Sequence, residues 1–366
     1  MLLPVDERST LSRIAADAEV STSTVSKVLN GRTGVSDATR ARVEALLHRH
    51  GYQRRGLRDT APLIELVFVR YTTAWAPEIQ LGVQQLARAR GLGVVVTEGG
   101  NRSSPGPEWL DGVVQRNPLG VILVSSGISS PQERQLHARG IPYVLVDPAG
   151  DPAPGVPAVG SANWNGGMLA TRHLLALGHR RIAVIGGPSR LMCSRARLAG
   201  YRSALDEAGI AVDEQLIVEG DFERDSGLQL ATRLLDRLDR PTAIFACNDL
   251  MALGVYEAAR LAGLSIPDDL SVVGYDDLNV AGWLGPPLTT VRQPLKEMGQ
   301  QATQIILDVD LAERTPRVDL ATDLIVRSST AEPATAVDRT QPAAPRSDSS
   351  IVTEIGSPAP SPSSAS

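Results

Sequence analysis

The 366-residue chain is 42% hydrophobic and 21% charged, an ordinary globular composition with room for two or three domains. No run reaches the roughly 18 to 20 apolar residues that cross a bilayer, and the N-terminus lacks a basic patch followed by an apolar segment. Two cysteines in no metal-binding spacing give no disulfide framework, so a membrane protein and a secreted disulfide scaffold are set aside, no metal or cofactor is expected, and the cytoplasm is the expected compartment. The net charge of −5 argues against nucleic acid until its distribution is read: residues 40–58 hold six arginines against one acid, Glu44.

Taken in order, the chain first predicts three short helices. Residues 11–18 have Thr10 as an N-cap and place Ile14, Ala15 and Ala18 on one face. After a turn at Glu19 and Val20, Ser21 caps a helix over 22–29 whose inward stripe is Val25, Val28 and Leu29. Thr22, Ser23, Ser26 and Lys27 are left outward. Asn30-Gly31 stops that helix, Ser36 caps a third over about 37–50, and Gly51 ends it. The spacing is that of a helix-turn-helix, and the outward set is short, polar and free of acid. Such side chains donate to phosphates and base edges. On periodicity alone, a small polar bundle that binds nothing reads equally well.

Residues 53–62 form a short basic linker in which Gly56 and Pro62 leave little room for a stable helix. Arg54, Arg55 and Arg58 are placed for phosphate or minor-groove contact, and Leu57 is the one candidate for the apolar minor-groove wedge that the family resemblance described below implies. The alternative is a flexible basic tether.

From residue 63 the pattern becomes strand, helix, strand. The runs LIELVFV, GVVVT, VILVS and YVLVD are near-continuously apolar. A second series follows the Pro/Gly-rich stretch 148–160: RIAVIGG, TAIFACND, LSVVGYDD and LTTVRQ, with helices between. Runs of this kind predict parallel sheets covered on both faces, and two such halves leave a ligand cleft at their strand ends. A helix over about 295–311 and a last strand over 318–326 close the domain, and the Pro/Ser/Ala/Thr-rich residues 331–366 read as a disordered tail.

Several strand-end residues suit a polyhydroxylated ligand. Ser125, Asp147, Asn248 and Asp276 close strands, and Arg195 and Arg197 lie on the helix after RIAVIGG. Carboxylates and amides pair with hydroxyls, and a guanidinium adds a rigid fork of donors. Asp249 reads as a helix cap, Asp277 as the cap of a turn, and His179 as structural.

The segment from Val20 to Tyr52, together with Ile14, Ala15 and Ala18, closely resembles the DNA-binding headpiece of the lactose-repressor/galactose-repressor (LacI/GalR) family. The shared pattern is I-A-x-x-A-x-V-S-x-x-T-V-S-x-V-L-N, then V-S-x-x-T-R-x-x-V and G-Y. HLLALGHRRIAVIGGP, SRARLAGYRSAL, FACNDLMALGVYEAARLAGLSIPDDLSVVGYDD and PPLTTVRQP extend the resemblance to about residue 327. It implies an all-α helix-turn-helix headpiece (residues 1–52) followed by an α/β periplasmic-binding-protein-like domain of two doubly wound parallel-sheet lobes (residues 63–330). Lobe 1 would comprise about 63–160 and 292–318, and lobe 2 about 161–290 and 319–330, with crossings near Gly160, Val291 and Asp319. By the same resemblance Thr22, Ser23 and Lys27 read bases, while Ser21, Thr24, Ser26 and Asn30 hold phosphates. Arg197, Asn248 and Asp276 match ligand-contacting positions, and Trp75 and Phe222 match aromatic platforms. The linker departs from the family's longer P-N-x-x-A-x-x-L hinge, which puts the hinge-dependent step in question.

The function implied is a transcriptional repressor, a homodimer on double-stranded operator DNA, controlled by a small effector in the cleft. A sugar or oligosaccharide leads over a purine-like ligand. The alternatives are a solute-binding protein for sugar uptake, which the headpiece opposes, and an enzyme, for which no H-E-x-x-H, G-x-S-x-G or phosphate-loop pattern is present.

Overall fold

The computed structural model describes residues 7–29, 34–49, 60–69, 71, 74–99, 106–125, 127–308 and 316–334. Asn30, Arg54, Arg55, Leu57 and Arg58, named above as DNA contacts, lie outside the described residues, as does the chain beyond 334.

The headpiece helices are α1 (Glu7–Asp17), α2 (Thr22–Leu29) and α3 (Asp37–Arg49). The first begins before Thr10, so Thr10 lies inside the helix and does not cap it. Ile14, Ala15, Ala18, Val25, Val28, Val43 and Leu46 form one buried cluster. The turn between α1 and α2 is made at Glu19, whose φ is 53°, a left-handed conformation that lets the two helices cross over so small a core.

The first sheet is built from β1 (Ala61–Phe68), α4 (Ala76–Ala89), β2 (Gly93–Glu98), α5 (Pro107–Arg116), β3 (Pro118–Val124), α6 (Ser130–His137), β4 (Tyr143–Val146) and β5 (Ala158–Ser161). The second takes α7 (Asn163–Ala176), β6 (Ile182–Gly186), α8 (Met192–Glu207), β7 (Ile217–Glu219), α9 (Arg224–Leu235), β8 (Ala243–Ala246), α10 (Asp249–Leu261), β9 (Ser271–Asp276), α11 (Asn279–Trp283) and β10 (Thr289–Arg292). The chain then returns to the first half as α12 (Leu295–Leu307), ending with β11 (Arg317–Leu320) and β12 (Asp323–Ile325). Strand order is β11-β5-β4-β3-β1-β2 in one sheet and β12-β10-β9-β8-β6-β7 in the other. Every pairing is parallel except β10 with β12. Buried Val, Ile and Leu fill both faces of each sheet, as parallel strands require.

Two expectations are corrected here. The alternating run after residue 316 predicts one strand over 318–326; the structure divides it, β11 joining β5 and β12 joining β10, with only Ala321 and Thr322 between them. Nor does the tail begin at 331. The Ala331 N–H donates to Ser271 Oγ at 3.0 Å and its carbonyl is 2.9 Å from His179 Nε2, tying this segment to the second sheet. His179 also meets Thr242 through Nδ1, a structural role.

Three helix pairs, one in the first half and two in the second, meet without intervening side chains. Gly82 and Gly299 join α4 to α12, Gly167 and Gly200 join α7 to α8, and Gly227 and Gly254 join α9 to α10. A Cβ on any of these would lie 2.0–2.3 Å from a carbonyl oxygen of the partner helix, closer than any atom pair tolerates. The α7–α8 contact matters most for function, because the carbonyl that meets Gly167 belongs to Arg197. Among the described residues no helix is long and apolar enough to cross a membrane.

Candidate functional site

On α2 the buried Val25 and Val28 turn Thr22, Ser23, Ser26 and Lys27 outward, all exposed, with Thr24 half-buried beside them. Ser21 organises the start of this helix. The Thr24 N–H donates to Ser21 Oγ at 3.1 Å, and the same oxygen lies 2.7 Å from Ser23 Oγ and 2.8 Å from Thr24 Oγ1. That is an N-cap whose hydroxyls are oriented at the positive end of a helix, a setting suited to phosphate. Ser36 repeats the arrangement with Thr39 at the start of α3.

Between the two sheets lies a cavity of about 430 Å³. Of the eight residues expected to meet the effector, seven line it: Trp75, Ser125, Asp147, Arg197, Phe222, Asn248 and Asp276. The strands deliver them. Ser125 and Asp147 follow β3 and β4 directly, Asn248 follows β8, and Asp276 ends β9, so the C-terminal edges of parallel strands converge on one cleft. Four of them, Ser125, Asp147, Phe222 and Asp276, have φ of 48°, 46°, 71° and 111°. Side chains with a Cβ adopt this region at a cost, which functional sites commonly bear.

The floor is a buried charge cluster. Arg197 is 4% exposed and stacks 3.7 Å above the Tyr275 ring. Its Nε donates to Asn163 Oδ1 at 2.8 Å, its Nη1 donates to the Cys247 carbonyl at 2.6 Å, and Nη1 lies 3.7 Å from Asp276 Oδ1. Asp276 also accepts from Gln293 Nε2 at 2.6 Å, and Asp147 accepts from Ser125 Oγ at 3.1 Å. Burial pushes Asp276 up to about 6, against the opposing pull of Arg197 and Gln293. Asp147 is raised for the same reason, Arg197 and Ser125 opposing. Burial alone would lower Arg197, but Tyr275, Cys193, Asp276 and Asp147 together raise it. Among the described residues, Asp147 Oδ1, Asp276 Oδ2 and Arg197 Nη2 have no hydrogen-bond partner, leaving two acceptors and a donor for a ligand.

Asn248 is engaged at both ends of its amide. Its Oδ1 accepts from the Met251 N–H at 2.9 Å, capping α10, and its Nδ2 donates to the Phe222 carbonyl at 2.8 Å. It therefore holds the Phe222 turn in place. Asp249, expected to be that cap, instead lies inside α10, fully buried, accepting from the Leu278 N–H and Thr290 Oγ1. Asp277 pairs with Arg292 and Arg327.

Arg195 is a correction. Its guanidinium donates to the Ser189 and Arg190 carbonyls and it does not line the cavity. Two residues along a helix is a rotation of about 200°, so Arg195 and Arg197 face opposite ways. Sequence reasoning also missed Gln293 and Cys193, both cavity-lining. Gln293 accepts from Ser161 Oγ at 2.6 Å while donating to Asp276, which joins two of the crossovers between sheets to the charge cluster. Its signal was its place at the end of LTTVRQ, the segment that leaves the second sheet.

Known proteins supply the wider frame. Residues 10–55 match the bacterial regulatory proteins of the lacI family, and residues 171–330 match the periplasmic binding protein-like domain. The chain is 38% identical over 336 residues to the HTH-type transcriptional regulator CelR of Thermobifida fusca, covering 88% of this chain and 98% of that one. A solved CelR-cellobiose complex superposes with a TM-score of 0.66 at 35% identity, over 89% of this chain and 100% of that chain. The lac repressor dimer bound to operator and the anti-inducer ONPF does so at 0.64 and 28%, over 90% of this chain and 100% of its own. A helix-turn-helix headpiece, two parallel-sheet lobes around a polar cleft, and these matches along nearly the whole length of a relative make this chain a member of the LacI family of transcriptional regulators.

Proposed function

We propose that this regulator is a repressor, that it binds a pseudopalindromic operator as a homodimer in the cytoplasm, and that an uncharged sugar held between the lobes sets its operator affinity. The division that goes with this reading is a headpiece at residues 1–52, a linker at 53–62 and an effector and dimerisation domain at 63–330. One observation carries it: Asp147 at the end of a first-sheet strand and Asp276 at the end of a second-sheet strand flank a single buried Arg197, and each keeps a free polar atom in the cavity. A polyol that donates to both carboxylates draws the two lobes together. Carboxylates also outnumber arginines along the lining, Asp147, Asp221, Glu223 and Asp276 against Arg190 and Arg197, which disfavours a phosphorylated or acidic sugar. Trp75 and Phe222 offer flat faces for the C–H side of a ring.

The cleft binds and does not catalyse in this reading. Its one thiol, Cys193, is pushed up to about 12 by burial, so it stays protonated and is no nucleophile at neutral pH. Membership of a family with a DNA-binding headpiece argues against the solute-uptake alternative.

The test uses an operator selected from random duplexes by the full-length protein. Cellobiose should change operator affinity at least tenfold in an anisotropy titration, and glucose 6-phosphate should leave it unchanged. Linkage requires the operator to change sugar affinity by the same factor. A panel of neutral mono- and disaccharides that leaves operator affinity untouched would sink the reading. On the DNA side, Lys27→Ala removes the only charged side chain exposed on α2. It should weaken operator binding by about tenfold or more with the sugar Kd unchanged; an unaltered operator isotherm would remove Lys27 from the reading face.

A further inference from the structure

We propose that Asp249 is a positioning residue for effector binding: from outside the cavity it holds the turn from Asp276 to Leu278 so that Asp276 meets the ligand. The inference rests on the sugar reading above and adds to that site a residue that does not touch the sugar. Asp249 opens α10 and does not line the cavity. An acid in the first turn of a helix ordinarily complements the helix dipole, but both hydrogen bonds of this carboxyl group reach away from α10. Its Oδ2 accepts from the Leu278 N–H at 2.8 Å, and its Oδ1 accepts from Thr290 Oγ1 at 2.6 Å. One bond fixes the main chain two residues past Asp276. The other fixes β10 three residues before Gln293, which itself donates to Asp276.

The turn needs such a hold. Asp276 and Asp277 have φ of 111° and 58°, a region that side chains with a Cβ adopt at a cost. Arg197 and Gln293 engage the Asp276 carboxylate, and neither side chain constrains the main chain beyond it. Asp277 pairs with Arg292 and Arg327, but those side chains are 53% and 24% exposed, where water screens an ion pair. Asp249 and Thr290 are fully buried, and a hydrogen bond to a carboxyl group is stronger there. The strand leading to Asp276 also keeps room for this group: a Cβ at Gly274 would lie 2.3 Å from Asp249 Oδ1. Burial, and after it the nearby Asp276, push the Asp249 carboxyl well above the usual range, against the pull of Thr290 and Leu278. Asparagine has the shape of the protonated acid, able to accept from Leu278 and donate to Thr290.

Calorimetry with cellobiose and anisotropy on the selected operator, both with the full-length protein, test this. Asp249→Ala should raise the cellobiose Kd at least tenfold, while Asp249→Asn should stay within twofold of the unaltered protein. Operator affinity without sugar should be the same in all three. An alanine variant that binds cellobiose as the unaltered protein does overturns the proposal and leaves the sugar reading intact. An asparagine variant as weak as the alanine one also overturns it. So does a loss of operator affinity in step with sugar affinity, because the defect then lies in the fold as a whole. Where the alanine variant does not fold, Thr290→Val takes away one of the two donors; it should raise the Kd about fivefold, and an unchanged Kd overturns the proposal. Failure of the unaltered protein to bind cellobiose removes the sugar reading and this proposal with it.

Discussion

Replacing Arg197 with alanine should lower the unfolding free energy by about 3–5 kcal/mol and abolish the effector response. The guanidinium lies 3.7 Å from the buried Asp276 and attracts the half-buried Asp147, donates to Asn163 and to the Cys247 carbonyl, and covers the Tyr275 ring. Without it, Asp147 and Asp276 are left buried with no cation, and both would take up protons at neutral pH to avoid the desolvation penalty. A thermal scan should show the midpoint falling by roughly 10 °C. Arg197→Lys keeps the charge but not the planar fork, and should recover part of the stability with little of the effector binding. A midpoint within 2 °C of the unaltered protein, or a normal sugar response in the alanine variant, would show that the cluster is not held by this side chain.

The opposite outcome is expected at Asp276. Asp147, Arg197 and Asp276 carry one negative charge in excess when all are ionised, with Arg197 and Asp276 buried and Asp147 half-buried. Asp276→Asn removes that excess while keeping an acceptor for Gln293, so the ligand-free variant should be more stable at pH 8 by up to about 3 kcal/mol and insensitive to the effector. The pH dependence fixes the sign. The folded-state value of about 6 lies above the ordinary 3.8, so between these values the folded protein holds a proton the unfolded chain has lost. The stability this group confers is therefore fully present below about pH 4 and is lost as pH rises through about 6. The gap between variant and parent should be absent at pH 4 and complete by pH 7. For the same reason sugar hydroxyls donating to the carboxylate should release a proton near pH 6, visible as a buffer-dependent binding enthalpy that Asp276→Asn removes. A pH-independent stability difference would exclude this account.

Much of this was legible before any coordinates. The headpiece reads clearly because its few apolar residues at helical spacing gather into one small core and turn the polar set of α2 outward, and the cavity residues read clearly because parallel strands end on one edge. What stayed hidden is informative. Arg195 and Arg197 are equivalent in composition, and only the direction of α8 decides which faces the cleft. Gln293 sits in a crossover with no periodicity to mark it. The break between β11 and β12 falls within an alternating run, and changing sheets there depends on pairing partners far away in sequence. Asn248 lines the cavity as its place at a strand end suggests, but its second task, capping α10 and holding the Phe222 carbonyl, has no mark in the sequence.

The glycine contacts between helices constrain how this protein is able to diversify. Because Gly167 rests directly on the Arg197 carbonyl, the main chain beneath the charge cluster has no slack to shift by even half a methyl group. A lineage adapting to a new effector must therefore work by exchanging side chains around a fixed scaffold. Side chains that line the cavity, Trp75 and Cys193 among them, are what substitution is able to exchange without moving the main chain that spaces Asp147, Arg197 and Asp276. Close-packed helices leave the three crossovers, after Ser161, at Gln293 and at Ala321-Thr322, as the places where one half would turn against the other when a ligand binds.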